Sequence, residues 1–202
     1  MESRPKVIAF DAFGTLVKIG EGKSPYLKLM KWLKINGRKP DADDAKVILT
    51  HATDIENLGI LFGKYLPESL SKVINEDIEN DLKKIDLYLD TIGTLQTLRK
   101  RGFQLALCSN LAKPYGEKLK ILMPDNFDEI FFSYELGCIK PEVEIYKLMT
   151  QYLNCKMSDI LFIGDNPILD VEIPKSLGMS AQLIERSKGQ TLSMVLSDII
   201  NG

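Results

Sequence analysis

Four segments of the chain carry charged or polar residues directly after an apolar run or beside a turn residue: Asp11, Ser109 with Asn110, Lys140, and Asp165 with Asp170. A carboxylate can act as a nucleophile or as a ligand for a hard cation, and hydroxyl and amide groups can hydrogen-bond an anionic oxygen. Carboxylates that are crowded together repel one another unless a cation or a lysine offsets their charge. The set therefore predicts one charged site, provided that the fold brings the segments together.

Gly14 and Thr15 follow the first of these residues in the segment Phe-Asp-Ala-Phe-Gly-Thr-Leu-Val. A glycine can adopt a positive φ and bring backbone N–H groups close to an anion, and the threonine adds a hydroxyl. Each candidate also has an ordinary structural explanation. An Asp after a strand often forms a turn, a Ser-Asn pair often caps a helix, and a single Lys is usually solvated. Only the combination of the segments favours a functional interpretation.

Five short apolar runs, rich in β-branched or aromatic residues, predict buried strands at residues 6–10, 103–108, 130–133, 160–164 and 181–184. Segments with helical spacing separate the last four runs. Strands that alternate with helices predict an α/β fold with a Rossmann-like parallel sheet covered on both faces. Since ligands of such sheets bind at the carboxyl ends of the strands, Asp11 stands where a ligand is expected.

The stretch from residue 20 to residue 87 shows helical spacing and no strand pattern. Its apolar positions fall into three sets, which are Tyr26, Met30 and Leu33; Ala45, Leu49, Ala52 and Ile55; and Leu70, Ile74, Ile78, Leu82 and Ile85. We expect a small all-helical cap inserted after the first strand. The predicted domains are an α/β core formed by residues 1–19 and 88–202 and a cap formed by residues 20–87, with hinges near Ile19 and Leu89.

The composition excludes several classes of function. The chain has 202 residues, of which 45% are hydrophobic, and its 26 Lys and Arg against 28 Asp and Glu give a formal net charge of −2. This is too apolar for a disordered chain and too balanced for a dedicated nucleic-acid or membrane-surface binder. The single histidine, His51, disfavours Ser-His-Asp and multi-histidine metal chemistry.

Cysteine usage and hydropathy bear on the location of the protein. The three cysteines include no CxxC pair, which argues against a disulfide framework and a zinc site and fits a reducing cytoplasm. No segment approaches the roughly 18 apolar residues that a membrane span requires. We therefore expect a soluble cytoplasmic protein that is a monomer or a homodimer.

In order and spacing, the four segments resemble the motifs of the haloacid dehalogenase superfamily, and the resemblance covers nearly the whole chain. The first motif matches Asp11 to Leu16, the second Ser109, the third Lys140, and the fourth Gly164-Asp165 through Asp170. The helical insertion between the first and second motifs is similar to the helical cap of this family. The resemblance implies a hydrolase, and the Asp-Asn-Pro sequence of the fourth motif looks like the phosphatase branches.

The same resemblance implies a role for each candidate residue. Asp11 would be the nucleophile, Lys140 and Asp170 would be further catalytic residues, and Gly14, Thr15, Ser109, Asn110 and Lys140 would hold the transferred group of a small phosphorylated metabolite. Mg²⁺ would be bound by Asp11, Asp165 and the main-chain carbonyl of Phe13. Asp170 would orient Lys140 or a metal-bound water.

Phe13 departs from the phosphatase pattern, which has a second aspartate two positions after the nucleophile. A phenylalanine cannot transfer a proton, and the loss of a positioned acid-base group typically costs about 10²- to 10⁴-fold in rate. An aromatic residue here is similar to the 2-haloacid dehalogenases, while the retained Asp165 and Asp170 favour phosphoryl chemistry. Three alternatives stay open: a phosphatase, a 2-haloacid dehalogenase that uses Asp11 as its nucleophile, and a binding or regulatory member of the fold with low activity.

Overall fold

A five-stranded parallel sheet forms the centre of the protein, described here for residues 5–201 of a computed structural model. In chain order its strands are β1 (Val7–Phe10), β4 (Gln104–Ser109), β5 (Glu129–Phe132), β6 (Ile160–Gly164) and β7 (Ser180–Leu183). The strands lie in the order β5-β4-β1-β6-β7, so β1 is central. A separate antiparallel ribbon pairs β2 (Val17–Ile19) with β3 (Ile85–Leu87).

The central strands are buried on both faces, which explains why their sequences are almost continuously apolar. Successive side chains of a strand point to opposite faces. Ile8 and Phe10 of β1 therefore pack in one cluster of buried residues, whereas Val7 and Ala9 pack in another. The predicted α/β fold with a Rossmann-like parallel sheet is confirmed, and the sheet is sandwiched between two apolar layers.

Helices flank the sheet and fill the segment between the strands of the ribbon. In chain order they are α1 (Pro25–Ile35), α2 (Asp44–Thr50), α3 (Ile55–Leu61), α4 (Glu68–Leu82), α5 (Thr91–Lys100), α6 (Lys113–Leu122), α7 (Ser133–Leu136), α8 (Val143–Tyr152), α9 (Ile173–Ser176), α10 (Leu192–Val195) and α11 (Ser197–Asn201). A π-helical turn, Pro167–Glu172, precedes α9, and 3₁₀ turns lie at Met157–Asp159 and Arg186–Lys188. No helix within residues 5–201 combines the length and the apolar character needed to cross a membrane.

Helices α1 to α4 have an apolar cluster of their own. Leu29 and Leu33 of α1, Ile48 of α2 and Ile74 and Ile78 of α4 are buried together, and Ala112 just before α6 joins the same cluster. The ribbon of β2 and β3 carries the chain out to them and back. The division into domains at residues 19 and 88 stays a prediction, and its terminal residues 1–4 and 202 lie outside the described part of the chain.

Two helical expectations for this segment are wrong in detail. The pattern that joins Ala45 to Ile55 predicts one helix, but α2 ends at Thr50 and α3 begins at Ile55. The side chain of Asp54 accepts a hydrogen bond from the Asn57 N–H at 2.8 Å and thereby caps a new helix.

The third helical pattern includes Ile85, but α4 ends at Leu82 and Ile85 is the first residue of β3. There it pairs with Ile19 and is buried in the core cluster rather than with the helices. The stretch from residue 20 to residue 87 therefore ends in a strand that its helical spacing did not indicate.

Candidate active site

The ends of two neighbouring strands, β1 and β6, bring the predicted acidic residues together. Asp11 follows β1, and its N–H donates to the Ile163 carbonyl of β6 at 2.9 Å. Asp165 and Asp170 lie in the loop and π-helical turn that follow β6. One oxygen from each of the three carboxylates lies within 4.8 Å of the others. Parallel strands that end at one edge thus gather side chains that are distant in sequence.

Lys140 lies between two of these carboxylates. Its Nζ donates to Asp11 Oδ1 at 2.7 Å and to Asp170 Oδ1 at 2.6 Å. All three residues are buried, with Lys140 only 3% exposed. The ammonium also lies 5.1 Å from the centroid of the Phe162 ring. This arrangement satisfies the charge of a lysine that could not otherwise remain ionised in the interior.

The electrostatics of the site favour a protonated Lys140 and raise the pKa of Asp11. Burial raises the pKa of Asp11, the neighbouring Lys140 lowers it, and the charges of Asp170 and Asp165 raise it again, so that it reaches about 6. Burial works to lower the pKa of Lys140, but Asp11 and Asp170 outweigh it and hold the pKa above its usual value. Burial, followed by the charge of Asp170, raises the pKa of Asp165.

Asn110 fixes the main chain of Lys140. Its Nδ2 donates to the Lys140 carbonyl at 2.7 Å, and its Oδ1 accepts from the Lys140 N–H at 2.8 Å. These two hydrogen bonds position the lysine, and the predicted contact of the Asn110 amide with the transferred group stays a prediction. Ser109, the last residue of β4, is 3% exposed, and its hydroxyl has no hydrogen-bond partner among residues 5–201.

The turn after β6 is built around Asp170. The Asp170 Oδ2 accepts from the Asn166 N–H at 3.0 Å, and the Asn166 side chain accepts from the N–H groups of Ile168 and Leu169. A Cβ placed on Gly164 would lie 2.3 Å from the Asp170 carboxylate, so only a glycine allows this approach. The sequence signal for this turn is Asn followed by Pro, a cap followed by the first residue of a helical turn.

Gly14 has the positive φ that the sequence predicts, at 74°. A Cβ at this position would lie 2.1 Å from Asp165 Oδ2, so the residue must lack a side chain for a second reason. Its N–H donates to the Val17 carbonyl at 2.9 Å and is engaged within the turn. The contact of Gly14 with the transferred group stays a prediction, and its positive φ shapes the turn after Asp11.

The contact of Thr15 with the transferred group also stays a prediction. The residue is fully buried, and its hydroxyl has no hydrogen-bond partner within the described chain. The N–H groups of Thr15, Leu16 and Val17 all donate to the Ala12 carbonyl. Those of Ala12 and Phe13 donate to no acceptor in residues 5–201, so these two amides are the loop's available donors.

Arg186 is a structural residue of this loop that sequence reasoning missed. Its guanidinium is buried, donates to the Thr15 carbonyl from Nε at 3.0 Å and from Nη2 at 2.6 Å, and pairs with Asp90 at 2.9 Å. It also lies 4.1 Å from the centroid of the Tyr88 ring. No motif marks this residue, because its partners lie up to 171 positions away in the sequence.

The acidic cluster fits a divalent cation. Three carboxylates and one ammonium leave a formal charge of −2 when all are ionised. The ligands offered are oxygen atoms, which hard cations such as Mg²⁺ prefer. Asp165 is exposed while Asp11 and Asp170 are buried, so the cluster opens to solvent on the Asp165 side.

Phe13 lies at the border between the sheet edge and the helical segment. Its half-buried ring makes an edge-to-face contact with Tyr115 of α6, with the ring centroids 6.1 Å apart. Tyr115 in turn contacts Tyr26 of α1, at a centroid distance of 6.4 Å. Phe13, Tyr115 and Tyr26 therefore form a row of aromatic rings, which we call the aromatic wall. It occupies the position of the acidic residue that phosphatases of the resembled family carry two positions after the nucleophile.

Comparison with known proteins gives one family over most of the chain. A model of the haloacid dehalogenase-like hydrolase family matches residues 5–178. Over 107 residues the chain is 34% identical to a glyceraldehyde 3-phosphate phosphatase from Methanopyrus kandleri, a match that covers 52% of this chain and 46% of that protein. The protein of the same name from Methanocaldococcus jannaschii is 25% identical over 130 residues, with 63% and 57% covered. The matched segments thus span about half the length of these curated relatives.

Solved structures share the fold over almost the full chain. A HAD family enzyme from Bacteroides thetaiotaomicron, in complex with magnesium and inorganic phosphate, superposes with a TM-score of 0.65 at 20% identity, covering 94% of this chain and 98% of that one. A predicted HAD-like family hydrolase from Porphyromonas gingivalis gives a TM-score of 0.69 at 18% identity, with 99% and 100% covered.

Replacing Lys140 tests the charge balance of the site. In Lys140→Met the buried Asp11 and Asp170 lose the cation that they share within residues 5–201, so we expect a loss of about 3 to 5 kcal/mol in the free energy of unfolding at pH 8. The loss should shrink at pH 5. Because the pKa of Asp11 is raised in the folded state, the folded variant takes up protons as the pH falls, and the repulsion disappears.

Urea unfolding followed by circular dichroism, in EDTA, measures both free energies. Lys147→Met is the matched control, because Lys147 is exposed on α8 and its nearest carboxylate contact, with Glu144, is 4.0 Å long. An equal loss at pH 5 and pH 8 would contradict the proposed charge balance.

Proposed function

The chain belongs to the haloacid dehalogenase-like hydrolase family, and we propose that it is a magnesium-dependent phosphatase that acts on a small phosphorylated metabolite through an aspartyl-phosphate intermediate. One observation carries this proposal: the three carboxylates of Asp11, Asp165 and Asp170 lie within 4.8 Å of one another and share a single buried ammonium. This cluster is deficient in positive charge, which is the condition in which a divalent cation binds.

Charge favours phosphoryl chemistry over halide displacement. A phosphate dianion beside three carboxylates brings about five negative charges together, which is tolerable only with a divalent cation and Lys140. A 2-haloacid carries a single negative charge and would have no use for the exposed carboxylate of Asp165. The two acidic residues of the fourth motif therefore support a phosphatase.

The two carboxylate oxygens of Asp11 have different contacts. Oδ1 is held by Lys140, whereas Oδ2 has no hydrogen-bond partner in the described chain. In our proposal Oδ2 attacks phosphorus, the bond to the leaving-group oxygen breaks, and water then hydrolyses the aspartyl-phosphate. Ser109, Lys140 and the N–H groups of Ala12 and Phe13 would bind the phosphoryl oxygens, and Asn110 would act through the position of Lys140.

Residues present in the site would also hold the cation. Asp11, Asp165 and the main-chain carbonyl of Phe13 are the proposed Mg²⁺ ligands, and Asp170 would orient Lys140 beside them. A bound cation would offset the negative charge that builds up as the phosphoryl group transfers. The chain itself contributes the fixed positions of the carboxylates, through Gly14, Gly164 and the turn at Asn166.

Known proteins support the class of reaction rather than the substrate. The curated relatives are named for glyceraldehyde 3-phosphate, but they match this chain over only about half of their length. The Bacteroides enzyme binds magnesium and inorganic phosphate in a fold similar to this one. A small phosphate ester is therefore the proposed substrate class.

Phe13 supports the second candidate, a 2-haloacid dehalogenase, because a halide leaves without being protonated. The two functions differ in substrate and in metal requirement. We expect hydrolysis of phosphorylated metabolites that depends on Mg²⁺ and is abolished by EDTA, in a screen that includes 2-haloacids and measures released phosphate and halide. Halide release that is insensitive to EDTA, without phosphate release, would replace the phosphatase with the dehalogenase.

Two substitutions separate the nucleophile from the proposed metal ligand. Asp11→Asn should abolish turnover at every Mg²⁺ concentration, because an amide cannot form the acyl phosphate. Asp165→Asn should mainly raise the Mg²⁺ concentration needed for half-maximal rate, because it removes one charged ligand. Steady-state rates over a Mg²⁺ titration distinguish these outcomes, and full activity of Asp11→Asn would exclude the covalent mechanism.

Phe13 determines which leaving groups the enzyme tolerates. Without an acid two positions after Asp11, a basic alkoxide must leave without a proton from that position, whereas a nitrophenolate needs none. We expect the wild type to favour activated phosphates, and Phe13→Asp to raise kcat/KM for alkyl phosphates more than for aryl phosphates.

Phe13→Asn serves as the control, since it removes the same ring contact with Tyr115 without adding an acid. The measurement is kcat/KM over leaving groups of graded pKa. A wild-type rate that is independent of leaving-group pKa, with chemistry shown to be rate-limiting, would mean that another group supplies the proton.

A further inference from the structure

A cavity of about 390 Å³ lies between the helical segment and the loop that follows β4. Its walls come from α1 and α2 on one side and from the start of α6 on the other, and they include Tyr26, Leu27, Ile48, Leu111 and Tyr115. We call it the Asp81 cavity, after the single carboxylate in its lining. Most of these walls are apolar or aromatic, so the charged group stands out from its surroundings.

Asp81, on the last turn of α4, is 3% exposed. Its Oδ1 accepts from the Lys23 N–H at 3.0 Å, and its Oδ2 lies 3.4 Å from the Tyr115 hydroxyl. No lysine, arginine or histidine side chain within residues 5–201 forms an ion pair with it. A buried carboxylate without a counter-cation is costly, because neutral hydrogen bonds only partly replace its lost hydration.

Other buried carboxylates of the same helical segment do have cations. Asp77, one turn before Asp81 on α4, pairs with Lys28, and Asp44 of α2 pairs with Arg38. Asp81 is therefore an exception among the buried acids of this segment. A Cβ on Gly22 would lie 3.0 Å from Asp81 Oδ2, so the absence of a side chain at Gly22 leaves space beside the carboxylate.

The aromatic rings of the cavity would also favour a cation beside Asp81. Tyr26 and Tyr115 both line it, with their centroids 6.4 Å apart and their planes tilted by 47°. Aromatic faces attract cations, most strongly where water is excluded. A carboxylate with two phenol rings around an apolar cavity has the chemistry of a site for an organic ammonium ion.

The cavity is adjacent to the candidate active site. Leu111 and Ala112 of its wall directly follow Ser109 and Asn110 at the end of β4. Tyr115 contacts Phe13, two positions after the proposed nucleophile. The contact between Phe13 and Tyr115 therefore borders both the phosphoryl site and the cavity.

We propose that the Asp81 cavity binds the ammonium group of the substrate, so that the enzyme acts on phosphate esters that carry an organic cation at the end remote from phosphate. The inference rests on the proposed phosphatase function and extends it to a substrate class. Asp81 supplies the counter-charge, and Tyr26 and Tyr115 supply the aromatic rings of the lining.

Pairs of substrates that differ in one charge test this assignment. Phosphocholine and 3,3-dimethylbutyl phosphate have the same shape, as nitrogen is replaced by carbon, and O-phosphoethanolamine and propyl phosphate form a smaller pair. We expect kcat/KM to favour the cationic member of at least one pair by about tenfold or more, the range of a desolvated cation contact. In Asp81→Asn this preference should disappear through a higher KM for the cationic substrate, with kcat little changed.

Asp77→Asn is the matched control, because it alters a buried carboxylate on the same helix that does not line the cavity. It should keep the preference for the cationic substrate. Tyr26→Leu provides a second variant if Asp81→Asn does not fold, and it should reduce the preference while keeping an apolar wall. Equal kcat/KM within both pairs, or a preference that survives in Asp81→Asn, would overturn the proposal.

Failure of the phosphatase function can be distinguished from failure of the cavity assignment. Hydrolysis of p-nitrophenyl phosphate with Mg²⁺ measures the phosphatase function, and this substrate carries no ammonium group that the cavity could bind. If this hydrolysis is absent, calorimetry still tests the cavity assignment by itself. It measures the binding of choline and of 3,3-dimethyl-1-butanol to the wild type and to Asp81→Asn. Tighter binding of choline that is lost in Asp81→Asn supports the ammonium site, and equal binding of the two probes contradicts it.

Discussion

The ammonium of Lys140, held between Asp11 and Asp170, is the interaction on which the site depends. It joins residues that are 129 and 30 positions away from it in sequence, and all three are buried. Without the lysine, two carboxylates would face each other in the interior, where their repulsion is weakly screened. In this fold the parallel strands β1 and β6 end at a common edge, and that edge brings Asp11 and Asp170 within reach of the same lysine.

The lysine does not neutralise the site completely, and this incompleteness has consequences for the surrounding chain. Asp165 adds a third carboxylate. Burial, opposed by Lys140 and supported by the charges of Asp170 and Asp165, raises the pKa of Asp11 to about 6. To hold the acids so close, the chain uses two positions where a side chain would collide with a carboxylate, Gly14 and Gly164. The backbone therefore holds the carboxylates close together. In an isolated loop their repulsion would move them apart.

Local patterns in the sequence predicted the parts of this site that depend on strand ends. The apolar runs before Asp11 and Asp165 predicted both the sheet and the edge at which the acids meet, and the resemblance to a known family added Lys140. The contacts of Arg186 and the pairing of Asn110 with the Lys140 main chain were not predictable, because they depend on which distant segments the fold brings together. The helical spacing misplaced Ile85 for the same reason. Ile85 is buried through its pairing with Ile19 and its packing in the core, and not through the residues of α4 that precede it.

The chain between the nucleophile and the helical segment is fixed at two successive carbonyls. Arg186 binds the Thr15 carbonyl, and the Thr91 hydroxyl and the Tyr88 N–H both donate to the Leu16 carbonyl, at 2.7 and 3.1 Å. Strand β2 begins at the next residue and leads to the helices. The contacts of the Thr15 and Leu16 carbonyls lie between Asp11 and the ribbon of β2 and β3. They therefore fix the chain that follows the proposed nucleophile before it reaches the helices.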